Sequence, residues 1–205
     1  MKTIYTMKTT LSLIIILIII LTACNKMSTM IKGDDNKMNG GFEIVKQNLP
    51  VNWAFYSPET VPSGDFNIII DKTEFKEGKQ SLKFLIRKCD SLGGWHSPGF
   101  IQGFNAIGGE TYKVSFWLMN RGSSLKISTV SSEYLKPSLG ENDTTIVIDF
   151  DIPDWKYYEY YFKIPPEVKR ISLEVNIYKP GSVWFDDIQI IGTENDKGER
   201  TIESK

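Results

Sequence analysis

From Asn39 to Ile191 apolar side chains recur at every second position, in short runs broken by Gly, Pro, Asn and Asp. Tyr112, Val114, Phe116 and Leu118 alternate with Lys113, Ser115, Trp117 and Met119. Ile146, Ile148, Phe150 and Ile152 alternate with Val147, Asp149 and Asp151. Tyr158, Tyr160, Phe162 and Ile164 alternate with Glu159, Tyr161 and Lys163, and Ile171, Leu173, Val175 and Ile177 with Ser172, Glu174, Asn176 and Tyr178. Successive side chains of a strand point to opposite faces, so a period of two predicts strands with one face in a core. Gly108-Gly109, Lys136-Pro137, Pro165-Pro166 and Lys179-Pro180-Gly181 supply the intervening turns. About ten such strands predict two antiparallel sheets packed face to face. The expected fold is all-β, a jelly-roll β-sandwich over residues 39–192.

The first 23 residues break this pattern. Lys2 and Lys8 precede an apolar run from Leu11 to Leu21, which closes on Thr22-Ala23-Cys24. A positive start, a short apolar core and small residues before a cysteine describe a bacterial lipoprotein signal peptide. The run is too short for a membrane span; the alternative is an uncleaved N-terminal anchor. Cleavage before Cys24 leaves its thiol to carry a diacylglycerol and its amine a further acyl chain, enough lipid for stable anchoring. Residues 24–38 are polar and aperiodic and predict a flexible tether, and residues 193–205 a disordered tail. The expected location is the cell envelope, lipid-anchored at the outer membrane.

Composition narrows the chemistry. The 24 Lys and Arg nearly balance 25 Asp and Glu, and the signal peptide holds two of the lysines and no acid. This gives no electrostatic reason to bind nucleic acid. The chain has two cysteines and one histidine, His96. With Cys24 lipidated, Cys89 has no disulfide partner and reads as a small buried hydrophobe. A single histidine excludes His-pair zinc sites and makes any Ser-His-Asp triad depend on His96, which reads instead as a hydrogen-bonding turn residue. The positive signal is aromatic: five Trp and nine Tyr supply large amphipathic surfaces.

Five segments, in order, resemble the carbohydrate-binding modules of the galactose-binding-like jelly-roll type, families four, nine and twenty-two. They are Asn39-Gly40-Gly41-Phe42-Glu43 with Pro50-Val51-Asn52-Trp53, Lys76-Glu77-Gly78-Lys79-Gln80-Ser81-Leu82, Gly108-Gly109-Glu110-Thr111-Tyr112-Lys113-Val114-Ser115-Phe116-Trp117, Trp155 with Tyr158 and Phe162, and Trp184-Phe185-Asp186-Asp187-Ile188. The resemblance places Trp53, Trp155 and Trp184 in the core. It also implies a structural Ca²⁺ held by Glu43, Asp186 and backbone carbonyls of the turn through Lys79. Alternation puts Asp186 on the side of Ile188 and Ile190, where a lone carboxylate is costly. The alternative pairs Glu43 with a lysine and Asp186 with backbone amides.

A sugar offers flat C–H faces and rings of hydroxyls, so its site combines exposed aromatic rings with amide and carboxylate groups. Trp117 should point away from the core, and Glu174, Asn176 and Tyr178 share one face as an acid–amide–aromatic row. Trp95, in Gly93-Gly94-Trp95-His96-Ser97-Pro98, and Tyr134 lie in loop-like stretches. The expected function is therefore a non-catalytic, membrane-anchored lipoprotein that binds polysaccharide or oligosaccharide at the cell surface, beside glycan-degrading enzymes acting in trans. The alternatives are a structural or protein-interaction sandwich without sugar binding, and an enzyme with two converging carboxylates.

Overall fold

The computed structural model describes residues 29–30, 38–131, 144–193 and 199–201. Strands dominate them, and the one helical element among the described residues is a 3-10 turn at Gly94–His96. One sheet has the order β1 (Thr29–Met30), β4 (Ala54–Tyr56), β7 (Gly99–Asn105), β12 (Arg170–Ile177), β9 (Leu125–Ser131), β10 (Thr144–Ile148). The second has the order β11 (Ile152–Lys163), β8 (Thr111–Arg121), β13 (Gly181–Thr193), β6 (Ser81–Lys88), β5 (Asp65–Asp71), with β14 (Glu199–Thr201) beside β13. A small hairpin joins β2 (Val45–Lys46) to β3 (Leu49–Pro50). The neighbours in both large sheets are antiparallel, and the two-layered all-β sandwich matches the expected jelly roll.

The period-two positions fill the space between the sheets. Val114, Phe116 and Leu118 of β8 and Ile171, Leu173, Val175 and Ile177 of β12 are all buried. Phe100 lies near the centre, with the rings of Trp53 and Phe185 at 5.2 Å and that of Phe84 at 6.0 Å. Truncating a ring so placed removes about 3–5 kcal/mol, so this aromatic cluster is a main source of cohesion.

The structure departs from the alternation in two informative places. Phe150 is exposed, because β10 ends at Ile148 and the chain turns there towards β11. In β13 the register shifts between Asp186 and Gln189, with Asp187 in a left-handed conformation at φ 46°. This bulge puts Asp186 opposite Trp117 on the outer side of the sheet, while Ile188 and Ile190 stay in the core. The expectation that Asp186 shares their face fails because one extra residue reverses the count. Two short pairings fall within segments read as tether and tail: Thr29–Met30 lies against β4, and Glu199–Thr201 against the end of β13.

Candidate functional site

The outward positions of β4, β7, β12, β9 and β10 form one continuous face. Across it, Tyr56 aligns with Gly99, Asn176, Lys126 and Val147, and Ala54 with Ile101, Glu174, Ser128 and Thr145. Gly99, Ser128 and Ala54 carry little or no side chain, so the surface beside the row on β12 is low, a stretch termed the trough, while the Arg170 guanidinium lies over Gly103. A Cβ on Gly99 would lie 1.9 Å from the carbonyl oxygen of Val175, so close strand packing dictates glycine there.

Tyr56 donates its hydroxyl to Glu174 Oε1 at 2.6 Å, a length typical of a charge-assisted bond. Tyr56 is absent from the sequence-derived candidates, yet Phe55 points into the core, and alternation alone puts Tyr56 on the opposite face. Asn176 Oδ1 accepts the amide of Gly94 at 2.9 Å, and its Nδ2 donates to Val175 O at 3.2 Å. Asn176 is only 7% exposed. Its polar atoms are thus committed to protein partners, and it ties the loop to β12.

That loop runs from Asp90 to Pro98. Ser97 Oγ donates to Asp90 O at 2.6 Å and accepts the Gly93 amide at 2.9 Å, which closes the loop on itself. Gly93 has φ 79°, and a Cβ there would lie 3.0 Å from the hydroxyl of Tyr178. Pinned in this way, the loop holds Trp95 out in solvent, 63% exposed. The ring of His96 lies tilted by 34° against that of Trp95 with centroids 3.5 Å apart, and the His96 amide bonds Gly93 O at 3.2 Å, in keeping with a turn role. Tyr178 is half-buried, and burial, followed by the charge of Glu174, raises its phenol above the ordinary range.

Trp95, Glu174, Asn176 and Tyr178 therefore come together on one face. Trp117 does not: it projects from β8 on the outer side of the other sheet, with Tyr157 at 5.2 Å and the Lys76 ammonium 4.3 Å from its ring. Tyr134 and Cys24 lie outside the described residues. Trp53 is in the core as expected, whereas Trp184 is buried outside it and Trp155 is partly exposed. Trp184 is buried on the outer side of its sheet, donating to Asp71 Oδ2 at 2.9 Å between Lys83 and Arg121. Cys89 is a free thiol, half-buried against the core.

Glu43, Lys79 and Asp186, the set implied for Ca²⁺, meet at the turn of residues 76–80. The amides of Lys79 and Gln80 donate to Glu43 Oε1 at 2.8 and 3.3 Å. Those of Lys76 and Glu77 donate to Asp186 Oδ2 at 2.7 and 2.9 Å, and that of Asp187 to Oδ1 at 2.8 Å. The turn thus faces both acids with N–H groups, and Lys79 meets Glu43 through its amide, not its carbonyl. Among the described residues no group of three or more His, Cys, Asp or Glu converges. Asp186 is nonetheless fully buried, and it makes no ion pair among the described residues. Burial pushes its carboxyl above the usual range against the pull of three amide bonds. The two hard carboxylates fit Ca²⁺; the peptide groups, as oriented, do not.

No protein-family model matches the chain. Over 174 residues it is 27% identical to α-L-arabinofuranosidase 1 of Arabidopsis thaliana, covering 78% of this chain and 24% of that protein. The chain thus spans about a quarter of the length of the curated relatives it matches. A solved CBM4 module superposes with a TM-score of 0.54 at 15% identity, over 76% of this chain and 98% of the module. TmCBM61, solved in complex with β-1,4-galactotriose, superposes at 0.51 and 19% identity, over 78% and 100%. At such identities the likeness is one of architecture. In fold, this chain is a jelly-roll β-sandwich of the kind found in carbohydrate-binding modules.

Proposed function

We propose that the trough over β4, β7, β12 and β9 binds a glycan chain without cleaving it, with Trp95 as its stacking platform. The observation that carries this reading is an indole held out in solvent by a loop bonded to Asn176, beside Glu174 and Tyr178. The ring takes the C–H face of a sugar, and the carboxylate and phenol take its hydroxyls. Glu174 is the single carboxylate in β4, β7, β12, β9 and β10. Hydrolysis by the usual pair of acids needs a second. TmCBM61 was solved with an oligosaccharide bound, and the matched arabinofuranosidases are named for a sugar-directed activity; both support a glycan as the ligand.

The test is electrophoresis of the full chain through gels cast with xylan, mixed-linkage β-glucan or β-1,4-galactan. Slowed migration in at least one is expected, and unchanged mobility in all three overturns the reading. The lipid on Cys24 completes the proposal, holding the domain at the outer membrane where glycan-degrading enzymes act on the captured polymer. Radiolabelled palmitate entering the chain, and lost in Cys24→Ser, is the expected result; equal labelling of both forms contradicts it.

For Ca²⁺ the proposal is a structural role at Glu43 and Asp186, supported by the buried Asp186 carboxylate, which makes no ion pair among the described residues; binding would require the 76–80 turn to present carbonyls in place of the amides it now turns to both acids. Calcium should raise the melting temperature over that in EDTA, and superimposable melts exclude the ion.

A further inference from the structure

The outer face of the second sheet carries an aromatic cluster that the trough does not use. Along β11, Tyr157, Glu159 and Tyr161 project on the same side, and the two tyrosines are 44% and 55% exposed. Their hydroxyls reach inwards to opposite oxygens of one carboxylate, Tyr157 to Glu159 Oε2 at 3.3 Å and Tyr161 to Oε1 at 3.5 Å. Behind Tyr157 stands Trp117, its ring 5.2 Å away. Behind Glu159 stands Ser115, a small residue that leaves the middle row low. The result is a dip with a phenol on either side and an acid at its centre.

We infer that Tyr157, Glu159 and Tyr161 form a second glycan platform, on the sheet opposite the trough, which takes an uncharged pyranose face-on. Residues two apart along a strand lie roughly 7 Å from each other, so the two rings flank one sugar unit and the carboxylate meets its hydroxyls. The phenol–carboxylate bonds, at 3.3 and 3.5 Å, are long and exchange readily for shorter ones from sugar hydroxyls. An apolar protein surface laid here would strip water from Glu159 and give nothing in return. A cationic partner is disfavoured by Lys113, which aligns with Tyr161, and by Lys76 over Trp117. A neutral polyol satisfies every group present. Because the two platforms face away from each other, one molecule would bridge two polysaccharide strands.

The experiment uses the same three polysaccharide gels and the full chain in four forms: wild type, Trp95→Ala, Tyr157→Ala/Tyr161→Ala, and the triple variant. Glu159→Gln, which keeps the shape of the side chain, serves as a fifth form that leaves the fold alone. The double tyrosine variant should bind at least fivefold more weakly in one gel, Glu159→Gln should weaken binding in the same gel, and Trp95→Ala should keep residual binding that the triple variant loses. If the tyrosine and Glu159 variants match wild type while Trp95→Ala abolishes retardation, this inference falls and the trough reading stands. If Trp95→Ala is neutral and the tyrosine variant is inert, the trough reading falls and this one stands. No retardation of wild type overturns both.

Discussion

Replacing Asn176 with alanine separates positioning from contact. The substitution removes the acceptor of the Gly94 amide, a 2.9 Å bond between residues 82 apart in sequence. One such bond is worth about 1 kcal/mol, and the melting temperature should fall by roughly 2–4 °C for a domain of this size. Its effect on binding runs through Trp95. With 63% of that side chain exposed, the free area is on the order of 150 Å². A sugar covering half of it buries about 75 Å², or about 2 kcal/mol at roughly 25 cal/mol per Å². This corresponds to a dissociation constant raised some twenty- to thirtyfold in Trp95→Ala. Trp95→Ala itself should leave the melt within about 2 °C of wild type, as a surface change does. Calorimetric titration of Trp95→Ala, Asn176→Ala and the double variant, with an oligosaccharide of the retaining polymer, closes the cycle. If Asn176 acts by holding the loop, the double variant binds as Trp95→Ala does, within about twofold. A double variant weaker by the product of the single losses would refute the reasoning and make Asn176 a direct contact.

Three further outcomes follow from the packing. Burial works against ionisation of Asp71, yet bonds from the Thr73 hydroxyl, the Trp184 indole and the amides of Thr73 and Glu74 hold its carboxyl far below the usual range. A depressed acid stabilises the fold above its unfolded value near pH 4 and loses that contribution as pH falls further. The stability gap between wild type and Asp71→Asn should therefore be constant from pH 5 to 7 and shrink below pH 4 in a series of melts; a gap that widens on acidification contradicts this. Tyr56→Phe removes a charge-assisted bond to the half-buried Glu174; urea unfolding should show about 1–2 kcal/mol lost, and a clearly smaller loss once Glu174 is already alanine. Gln102 is buried facing the core, with neither amide atom bonded among the described residues, so Gln102→Leu should raise the melting temperature by a few degrees. A fall would show that the amide has a partner.

Where the sequence is legible, one local rule suffices. Period two assigns β8, β12 and the Tyr158–Phe162 part of β11 and their inward residues, because the count runs on there without a register shift. Trp95 is readable as exposed because glycines precede it and no apolar period contains it. The failures need information from far along the chain. Alternation sends Trp117 outwards, but which of two sheets it leaves depends on strand order, so it joins Tyr157 and not Glu174. Asp186 is misplaced by a bulge with no signature beyond the Asp-Asp pair. Asn176 looks like an open amide until a glycine amide from the β6–β7 loop occupies it. Tyr56, Tyr157 and Tyr161 are residues that the same rule would have found.

The most direct test follows the indole N–H signals of the five tryptophans by nuclear magnetic resonance during titration with an oligosaccharide of the retaining polymer. The Trp95 signal should move saturably while those of the buried Trp53 and Trp184 stay in place. Saturable binding that leaves Trp95 unmoved would contradict it.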